Sequence, residues 1–244
     1  MSSVIIFGAT SAIAAEAAAL YAARGDQLVL VGRNPDKLAA IAERTGAIAT
    51  FVADFDDLAR AEAVVGEALA ALGGCDIALI AHGLLGDQEE TEHSVAAAEH
   101  VIRTNFTSVV ALLVPLVNHV EQARHGRIGV ITSVAGERGR PRNYTYGAAK
   151  GALGLYLQGV RSRLYPTGVS VTTLKLGPVD TPMTATHKKG PLFASPDTVA
   201  KQLIAAIDAG KAEAFVPWFW SAIMPVVRNA PEALFQRLKF LSGR

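Results

Sequence analysis

The 244-residue chain carries 23 Lys and Arg against 22 Asp and Glu, and half of its residues are hydrophobic. These values exclude a disordered or collagen-like chain, and a net charge of +1 gives no overall field that would attract nucleic acid. The single cysteine, Cys75, excludes an intramolecular disulfide framework and a cysteine-based zinc site, so we predict no metal and a reducing, cytoplasmic location. A mean hydropathy of +0.29 raises the question of a membrane contact.

Short β-branched runs alternate along the chain with longer Ala- and Leu-rich stretches. The runs are apolar nearly throughout, as in parallel strands that are buried on both faces. Strands are predicted at residues 4–7, 28–31, 48–53, 77–81, 128–131 and 169–174, and helices at 12–24, 35–44, 57–72, 95–120 and 144–164. Strand–helix alternation of this kind predicts an α/β Rossmann fold with one doubly wound parallel sheet. We assign residues 1–212 to this domain and residues 213–244 to an apolar, basic tail.

The first predicted strand runs directly into a turn of small residues and then a helix. Backbone N–H groups in such a turn, together with the helix N-terminus, can face a pyrophosphate. The second strand ends in Gly32-Arg33, where an arginine accommodates a 2′-phosphate and a carboxylate would select NAD. We therefore predict NADP(H), with NAD(H) as the alternative. A solvated arginine at the start of a loop is the structural alternative. The predicted cofactor-binding residues of these strand ends are Gly8, Thr10, Ser11, Ala12, Ile13, Arg33, Asp54, Phe55, Ala81, His82 and Gly83.

A tyrosine and a lysine lie four residues apart on one face of the helix predicted at 144–164. A phenol with a pKa near 10 is a poor acid–base group at neutral pH, and a nearby cation brings this pKa towards the working range. Tyr146 and Lys150 form this pair, and Ser133 ends the fifth strand thirteen residues before Tyr146. In a doubly wound sheet these side chains meet at one crevice. Asn105, early in the helix predicted at 95–120, completes a polar set.

In this chain order, Ser133, Tyr146 and Lys150 resemble the short-chain dehydrogenase/reductase family in its short, single-domain branch, over residues 4–211. The resemblance implies that Tyr146 donates the proton in reduction and that Lys150 lowers the pKa of Tyr146. It also implies that Lys150 holds the nicotinamide ribose, that Ser133 bonds the substrate carbonyl, and that Asn105 supports a water relay. The resemblance therefore implies an NAD(P)-dependent enzyme that acts on CH–OH or C=O groups.

The same resemblance extends the cofactor site and reveals departures from the family pattern. Val179 and Thr181 match the segment that contacts the nicotinamide, and Tyr146 and Lys150 belong to the cofactor site as well. Ala12 and Ala14 stand where glycines are usual, which leaves cofactor affinity open. The usual Asn-Asn-Ala-Gly reads Ile-Ala-His-Gly at 80–83, so a loop-bracing amide is missing. We interpret His82 as a brace for this turn rather than a catalytic base.

Three stretches, at 83–87, 133–138 and 216–235, narrow the resemblance to the decaprenylphosphoryl-2-keto-ribose reductase type, whose members reduce a sugar ketone carried on a polyprenyl phosphate. Independently, three arginines crowd the segment between the serine and the tyrosine, and His187-Lys188-Lys189 follow the Thr181 motif. Such cations can hold a phosphate near the reacting carbon, or they form a solvated loop. The predicted substrate-binding residues are Arg138, Arg140 and Arg142.

The last thirty residues combine apolar and basic side chains, a pairing typical of an interfacial element. The longest apolar run, at 215–227, is too short to span a bilayer. The tail either touches a membrane or packs on the body or on a second subunit. The apolar members are Phe215, Trp218, Phe219, Trp220, Ile223 and Met224, and the basic ones are Arg228, Arg237 and Lys239.

These observations predict an NADPH-dependent ketone reductase that acts on a lipid-linked sugar or another amphipathic phosphate. A 3-oxoacyl or small-carbonyl reductase is the first alternative, and a non-catalytic NADP(H)-sensing scaffold is the second. We expect a homo-oligomer, either a dimer or a tetramer, and no nucleic-acid partner.

Overall fold

A computed structural model describes residues 1–237 of the chain. Within this range seven strands form one all-parallel sheet in the order β3-β2-β1-β4-β5-β6-β7. The strands are β1 Ser3–Phe7, β2 Gln27–Gly32, β3 Ala49–Val52, β4 Ile77–Ile80, β5 Arg127–Ser133, β6 Ser170–Leu176 and β7 Glu213–Val216. The order reverses between β1 and β4, so the carboxyl ends of these two strands open the crevice in which such sheets bind ligands.

Helices cover both faces of the sheet. They are α1 Ala12–Ala23, α2 Pro35–Thr45, α3 Ala61–Leu72, α4 Gln88–His93, α5 Val95–Ile102, α6 Ser108–Ala123, α7 Tyr144–Leu164, α8 Pro196–Asp208, α9 Trp220–Asn229 and α10 Glu232–Arg237. The apolar sides of α1, α2 and α8 form one core with the sheet, and those of α3, α6 and α7 form the other. Successive strand residues divide between these cores, with Ile5 and Phe7 in one and Val4 and Ile6 in the other. The predicted single-domain, doubly wound fold is confirmed.

The six predicted strands are all present, with ends that differ by up to two residues, and the helix predicted at 144–164 has the predicted ends. The helix predicted at 57–72 begins with the 3-10 turn Leu58–Arg60, and a π-helical turn, Arg103–Thr107, separates α5 from α6. Sequence analysis missed α4, α8 and the elements of the tail. The tail begins with β7, which pairs with β6, so the predicted boundary at 212 falls just before a strand of the sheet.

One continuous helical stretch, Val95–Ala123, is long and apolar enough to cross a membrane by length and composition. Half of its most apolar window is buried inside the fold. Residues of α6 such as Leu113 and Leu116 are fully buried in the core shared with α3 and α7. Core helices pass the same test of length and composition, so this stretch is weak evidence for a membrane span.

Candidate active site

Two adjoining cavities, of about 750 and 220 Å³, lie at the carboxyl ends of the central strands. Both are lined by Thr10, Ser11 and the loop 81–83, so they form one trough. The larger cavity contains the serine, tyrosine and lysine, and the smaller one contains Arg33 and Asp54. Every residue that sequence analysis assigned to the cofactor lines one of the two cavities.

The turn after β1 is shaped for the close approach of another backbone. Gly8 has φ +78°, and a Cβ there would lie 2.5 Å from the backbone nitrogen of His82. Ser11 caps α1, because its Oγ accepts a hydrogen bond from the N–H of Ala14 at 3.2 Å. The first helical residues, Ala12 and Ile13, line the larger cavity. A helix N-terminus in this position favours an anionic group such as a pyrophosphate, so the turn fits a dinucleotide.

The two alanines that replace family glycines have different surroundings. Ala14 is fully buried in the core beneath α1, whereas Ala12 lines the trough. Of these two alanines, only Ala12 therefore has a methyl group that can contact a bound cofactor.

The far end of the trough carries exposed charges. Arg33 follows Gly32 at the end of β2 and is exposed, with Asp54 and Phe55 on the same cavity wall. Lys37, in the first turn of α2, lines the larger cavity and was not predicted. Its spacing of four residues from Arg33 was the available signal, because it places both cations at the start of one helix. No carboxylate occupies the position at the end of β2 that would bind a ribose hydroxyl.

The predicted catalytic serine and tyrosine come together in the larger cavity. Ser133 Oγ accepts a hydrogen bond from the N–H of Ala135 at 3.1 Å, and the Ser133 side chain is also hydrogen-bonded to Tyr146. Burial raises the pKa of Tyr146 to about 12, and the hydrogen bond with Ser133 opposes this rise. Tyr146 is therefore protonated at neutral pH in the protein without cofactor, and the lowering of its pKa by Lys150 stays a prediction.

Lys150 is buried beneath the same wall. Its Nζ donates a hydrogen bond to the carbonyl of Ile131 at 3.1 Å and lies 5.9 Å from the ring centre of Tyr146. Burial lowers the pKa of Lys150 to about 8. The amine therefore stays mostly protonated at neutral pH in a site that water barely reaches.

Three glycines hold the serine against the tyrosine helix, a feature that sequence analysis missed. Gly136 lies in the 3-10 turn Val134–Glu137, hereafter the serine loop, and Gly147 and Gly151 lie on α7. A Cβ on Gly136 would lie 2.7 Å from the backbone nitrogen of Gly151, and one on Gly147 would lie 2.7 Å from the carbonyl oxygen of Ala135. The loop and the helix thus touch backbone to backbone, which fixes the distance between the two catalytic side chains.

Asn105 lies behind the cavity wall rather than on it. It is fully buried in the π-helical turn, and its Nδ2 donates to the carbonyls of Leu84 at 2.6 Å and Val101 at 2.8 Å. Its Oδ1 accepts from the N–H of Leu84 at 3.2 Å. A Cβ on Gly83 would lie 2.8 Å from this oxygen and 3.3 Å from Lys150 Nζ. Asn105 therefore braces the loop after β4, and its part in a water relay stays a prediction.

His82 braces the other side of that loop. Its ring stacks on Phe55 with centroids 4.3 Å apart, and its Nε2 lies 2.8 Å from Ser108 Oγ. Because the Ser108 hydroxyl donates to the carbonyl of Thr104, the hydrogen between His82 and Ser108 belongs to Nε2. Burial, with Lys150 and Arg33 adding to it, lowers the pKa of His82 to about 3. A neutral histidine with this bond fits the turn-brace interpretation.

The three predicted substrate arginines separate in the structure. Arg140 and Arg142 line the larger cavity, whereas Arg138 points to the tail and binds carbonyl groups there. The assignment of Arg138 to the substrate therefore does not fit its position. The cavity is strongly cationic, since among its described lining residues there is no carboxylate. The lining cations are Lys37, Arg140, Arg142, Lys150 and Lys188.

Part of the tail is a wall of this cavity. Trp220 lines it and is only 6% exposed, whereas Trp218 is 72% exposed. Sequence analysis singled out both tryptophans but had no signal for which one faces inward. Arg228 and Arg237 are exposed, and Lys239 lies outside the described residues.

The fold and this side-chain set define a nucleotide-dependent oxidoreductase, and comparison with known proteins gives the family. The sequence profile described as short chain dehydrogenase matches residues 2–191. The chain belongs to the short-chain dehydrogenase/reductase family and is an oxidoreductase of the NAD(P)-dependent type. Members of this family typically act on small carbonyl substrates and are often oligomeric.

Relatives match over nearly the whole chain. An uncharacterized oxidoreductase of Mycobacterium tuberculosis is 35% identical over 240 residues and covers 96% of both chains. An uncharacterized oxidoreductase of Streptomyces coelicolor is 32% identical, covering 97% of this chain and 95% of its own. A short chain dehydrogenase from Burkholderia cenocepacia, solved with NADP, shares the fold with a TM-score of 0.84, 19% identity and 97% coverage of both chains. The narrower resemblance to the decaprenylphosphoryl-2-keto-ribose reductase type stays a prediction.

Proposed function

We propose that this protein is an NADPH-dependent reductase that converts a ketone on an anionic substrate to a secondary alcohol. The observation that carries the proposal is the composition of the larger cavity. A protonated tyrosine, its serine partner and a buried lysine share this cavity with two arginines, and no described carboxylate lines it.

The side chains supply the proton and hold the carbonyl. Bound NADPH supplies a hydride to the carbonyl carbon. The Ser133 hydroxyl accepts a hydrogen bond from the N–H of Ala135 and donates to the carbonyl of Leu176 at 3.4 Å, a long bond in which a ketone oxygen can replace the carbonyl as acceptor. Tyr146 is protonated at neutral pH because burial raises its pKa to about 12. Its O–H bond breaks, the proton goes to the ketone oxygen, and a phenolate remains.

Lys150 stabilises that phenolate. Its buried ammonium group lies 5.9 Å from the ring centre of Tyr146, and an opposite charge at close range favours the ionised phenol. With a pKa of about 8, Lys150 carries this charge at neutral pH. The phenolate is then reprotonated from solvent, which returns the tyrosine to its starting state.

The preference for NADPH over NADH rests on the exposed end of the trough. Arg33 and Lys37 bring two positive charges to the start of α2, beside the smaller and the larger cavity respectively. An arginine at the end of the second strand suits a 2′-phosphate. NAD(H) remains the alternative cofactor.

The proposal of an anionic substrate is supported by the positions of Arg140 and Arg142. Burial, and then repulsion from Arg142, lower the pKa of Arg140, and its Nε is buried without a partner among the described residues. A phosphate or carboxylate between the two guanidinium groups would relieve this repulsion and make charge-assisted hydrogen bonds. A lipid-linked sugar phosphate is one substrate of this chemistry.

Paired ketones test the substrate class. The two ketones of a pair share one carbon skeleton. One carries a phosphate or a carboxylate, the other carries an uncharged hydroxyl, and NADPH oxidation is followed by absorbance. We expect kcat/KM to be at least about tenfold higher for the charged member, since an arginine–anion pair contributes about 1.5–3 kcal/mol. The double variant R140Q/R142Q removes the difference, whereas R163Q, on the exposed Arg163–Glu121 pair, keeps it. Equal rates for charged and uncharged members would favour a small-carbonyl reductase.

The lipid form of the proposal is tested at Trp218, the exposed aromatic residue of the tail. We expect W218S to reduce cosedimentation with anionic liposomes and to leave activity on short substrates intact. Y165S removes another exposed aromatic side chain, just after α7, and is the matched control. Equal binding by wild type and W218S would contradict the membrane contact.

We infer a homo-oligomer from exposed apolar residues on the helices beside the site. Val95 on α5 is 89% exposed and Leu155 on α7 is 70% exposed. Light scattering on the purified protein measures the subunit number, and a monomeric mass at micromolar concentration would contradict the inference.

A further inference from the structure

The geometry points to Arg138 as a positioning residue and to Trp220 as a specificity-determining residue. We propose that Arg138 fastens the C-terminal helices to the serine loop, and that Trp220, held in this way, limits the bulk of the substrate beside Ser133. The specificity part rests on the proposed function. The fastening part does not.

The side chain of Arg138 caps the C-terminal end of α9, although the two are about 90 residues apart in sequence. Its Nη1 donates to the carbonyls of Val227, Arg228 and Ala230 at 3.2, 3.1 and 2.5 Å. The last carbonyls of a helix have no partner within the helix and carry its negative partial charge. A guanidinium group is therefore well suited to this position.

The same guanidinium group reaches the following helix, α10. Its Nη2 is 2.6 Å from Glu232 Oε2, and its central carbon lies 4.1 Å from the ring centre of Phe235. The Arg138 side chain is only 13% exposed, so solvent screens these contacts little. Glu137, the neighbouring residue, forms a second link through its ion pairs with Lys175 and Arg228.

The fastened helix packs directly behind the catalytic serine. Trp220 and Met224 are buried in a cluster with Val134, the residue after Ser133. Trp220 also packs against the end of β6, where a Cβ on Gly177 would lie 2.0 Å from the indole Nε1. The indole therefore lies between the serine loop and Gly177, the residue after β6, on the wall of the larger cavity.

Two tryptophans in the chain make the fastening measurable without any turnover. In a W218F background, Trp220 is the only tryptophan, and quenching of its fluorescence by acrylamide reports its exposure. We expect R138Q to raise the quenching constant at least about threefold, because lost charge-assisted bonds open the segment locally. We expect R138K to give an intermediate value and R163Q, a surface arginine variant, to give the wild-type value. Unchanged quenching in R138Q, or an equal rise in R163Q, would overturn the fastening.

Turnover of small and bulky ketones tests the specificity part. W220A is expected to shift the ratio of kcat/KM for bulky over small ketones by about tenfold, the usual scale for a pocket that gains space. R138Q shifts the ratio in the same direction, while the NADPH dissociation constant stays within about twofold because the cofactor half is untouched. W218A, two residues away and exposed, leaves the ratio unchanged. An unchanged ratio in W220A would overturn the specificity part.

Two variants keep the proposal testable if R138Q does not fold. E232Q neutralises one partner of Arg138 and leaves the three carbonyl contacts. G177A forces the indole from its seat, because the added Cβ cannot coexist with Nε1 at 2.0 Å. We expect G177A to change the ketone ratio as W220A does, and an unchanged ratio would count against Trp220 as the wall. If no ketone is turned over at all, the proposed function fails and the quenching result still decides the fastening.

Discussion

The two ends of the trough are built in different ways. The cofactor end brings together short local motifs from neighbouring strand ends, such as Gly8 with Ser11 and Arg33 with Lys37, and its charges are exposed. The reacting end joins β5, α7, β6 and the tail, and its lysine is buried. Exposed charges can attract an incoming dinucleotide and are screened by salt, whereas a buried charge acts strongly on a proton transfer. The exposed cofactor end is therefore suited to recognition, and the buried reacting end is suited to proton transfer.

Among substitutions that separate the two ends, we expect the largest effect from G8A. Gly8 and Gly25 both have positive φ, but an added Cβ meets the backbone of His82 only at Gly8. G25A should cost about 1 kcal/mol of unfolding free energy, and G8A roughly 3 kcal/mol or more, with loss of NADPH binding. Urea unfolding and NADPH titration measure both quantities. Equal costs would show that the contact with His82 does not constrain the turn.

The buried charge of Lys150 at the reacting end lowers the free energy of unfolding. Burial lowers the pKa of Lys150 from 10.5 to about 8, which corresponds to about 3 kcal/mol of destabilisation at pH 7. K150M should therefore be inactive yet more stable, by on the order of 2–3 kcal/mol.

The pH dependence of this gain has a defined direction. Below pH 8 the amine is charged in both states, and the burial cost is fully present. Between pH 8 and 10.5 the folded chain releases the proton while the unfolded chain keeps it, so wild-type stability rises and the gain of K150M shrinks. K201M, at an exposed lysine of α8, is the control. A gain that does not change with pH would contradict the burial argument.

At the exposed end, R33A should weaken NADPH binding about tenfold and leave NADH binding unchanged, because one charge-assisted contact to the 2′-phosphate is lost. Arg44 lies at the other end of α2, where its guanidinium group donates to the carbonyl of Ala15. R44A therefore serves as the control. Isothermal titration with both cofactors measures the change. Equal losses for NADPH and NADH would remove the assignment of Arg33.

The smallest effects concern the two alanines in the turn. A12G should change NADPH affinity less than about threefold, because only one methyl group leaves the trough wall. A14G should leave affinity unchanged and lower the free energy of unfolding by about 1 kcal/mol, since Ala14 is a buried helical residue. The opposite pattern would mean that Ala14, not Ala12, meets the cofactor.

The same contrast explains what could be predicted from sequence. Apolar runs predicted six strands, and the spacing of Ser133, Tyr146 and Lys150 predicted the reaction centre, because both signals are local. Sequence analysis missed the strand β7, Glu213–Val216, because it leads directly into the apolar run at 215–227 and was assigned with that run to the tail. Arg138 was assigned to the substrate because it is near Ser133 in sequence, and its partners lie about 90 residues away. The raised pKa of Tyr146 also depends on burial, which no local pattern encodes.

The central claim is that Tyr146 donates the proton in an NADPH-dependent ketone reduction. Its most direct test compares wild type and Y146F on the ketone pairs, following NADPH oxidation together with alcohol formation. Y146F keeps the ring and removes the acid, so we predict that NADPH still binds and kcat falls by a factor of about 100 to 10,000. Ketone reduction by Y146F at the wild-type rate would contradict the account.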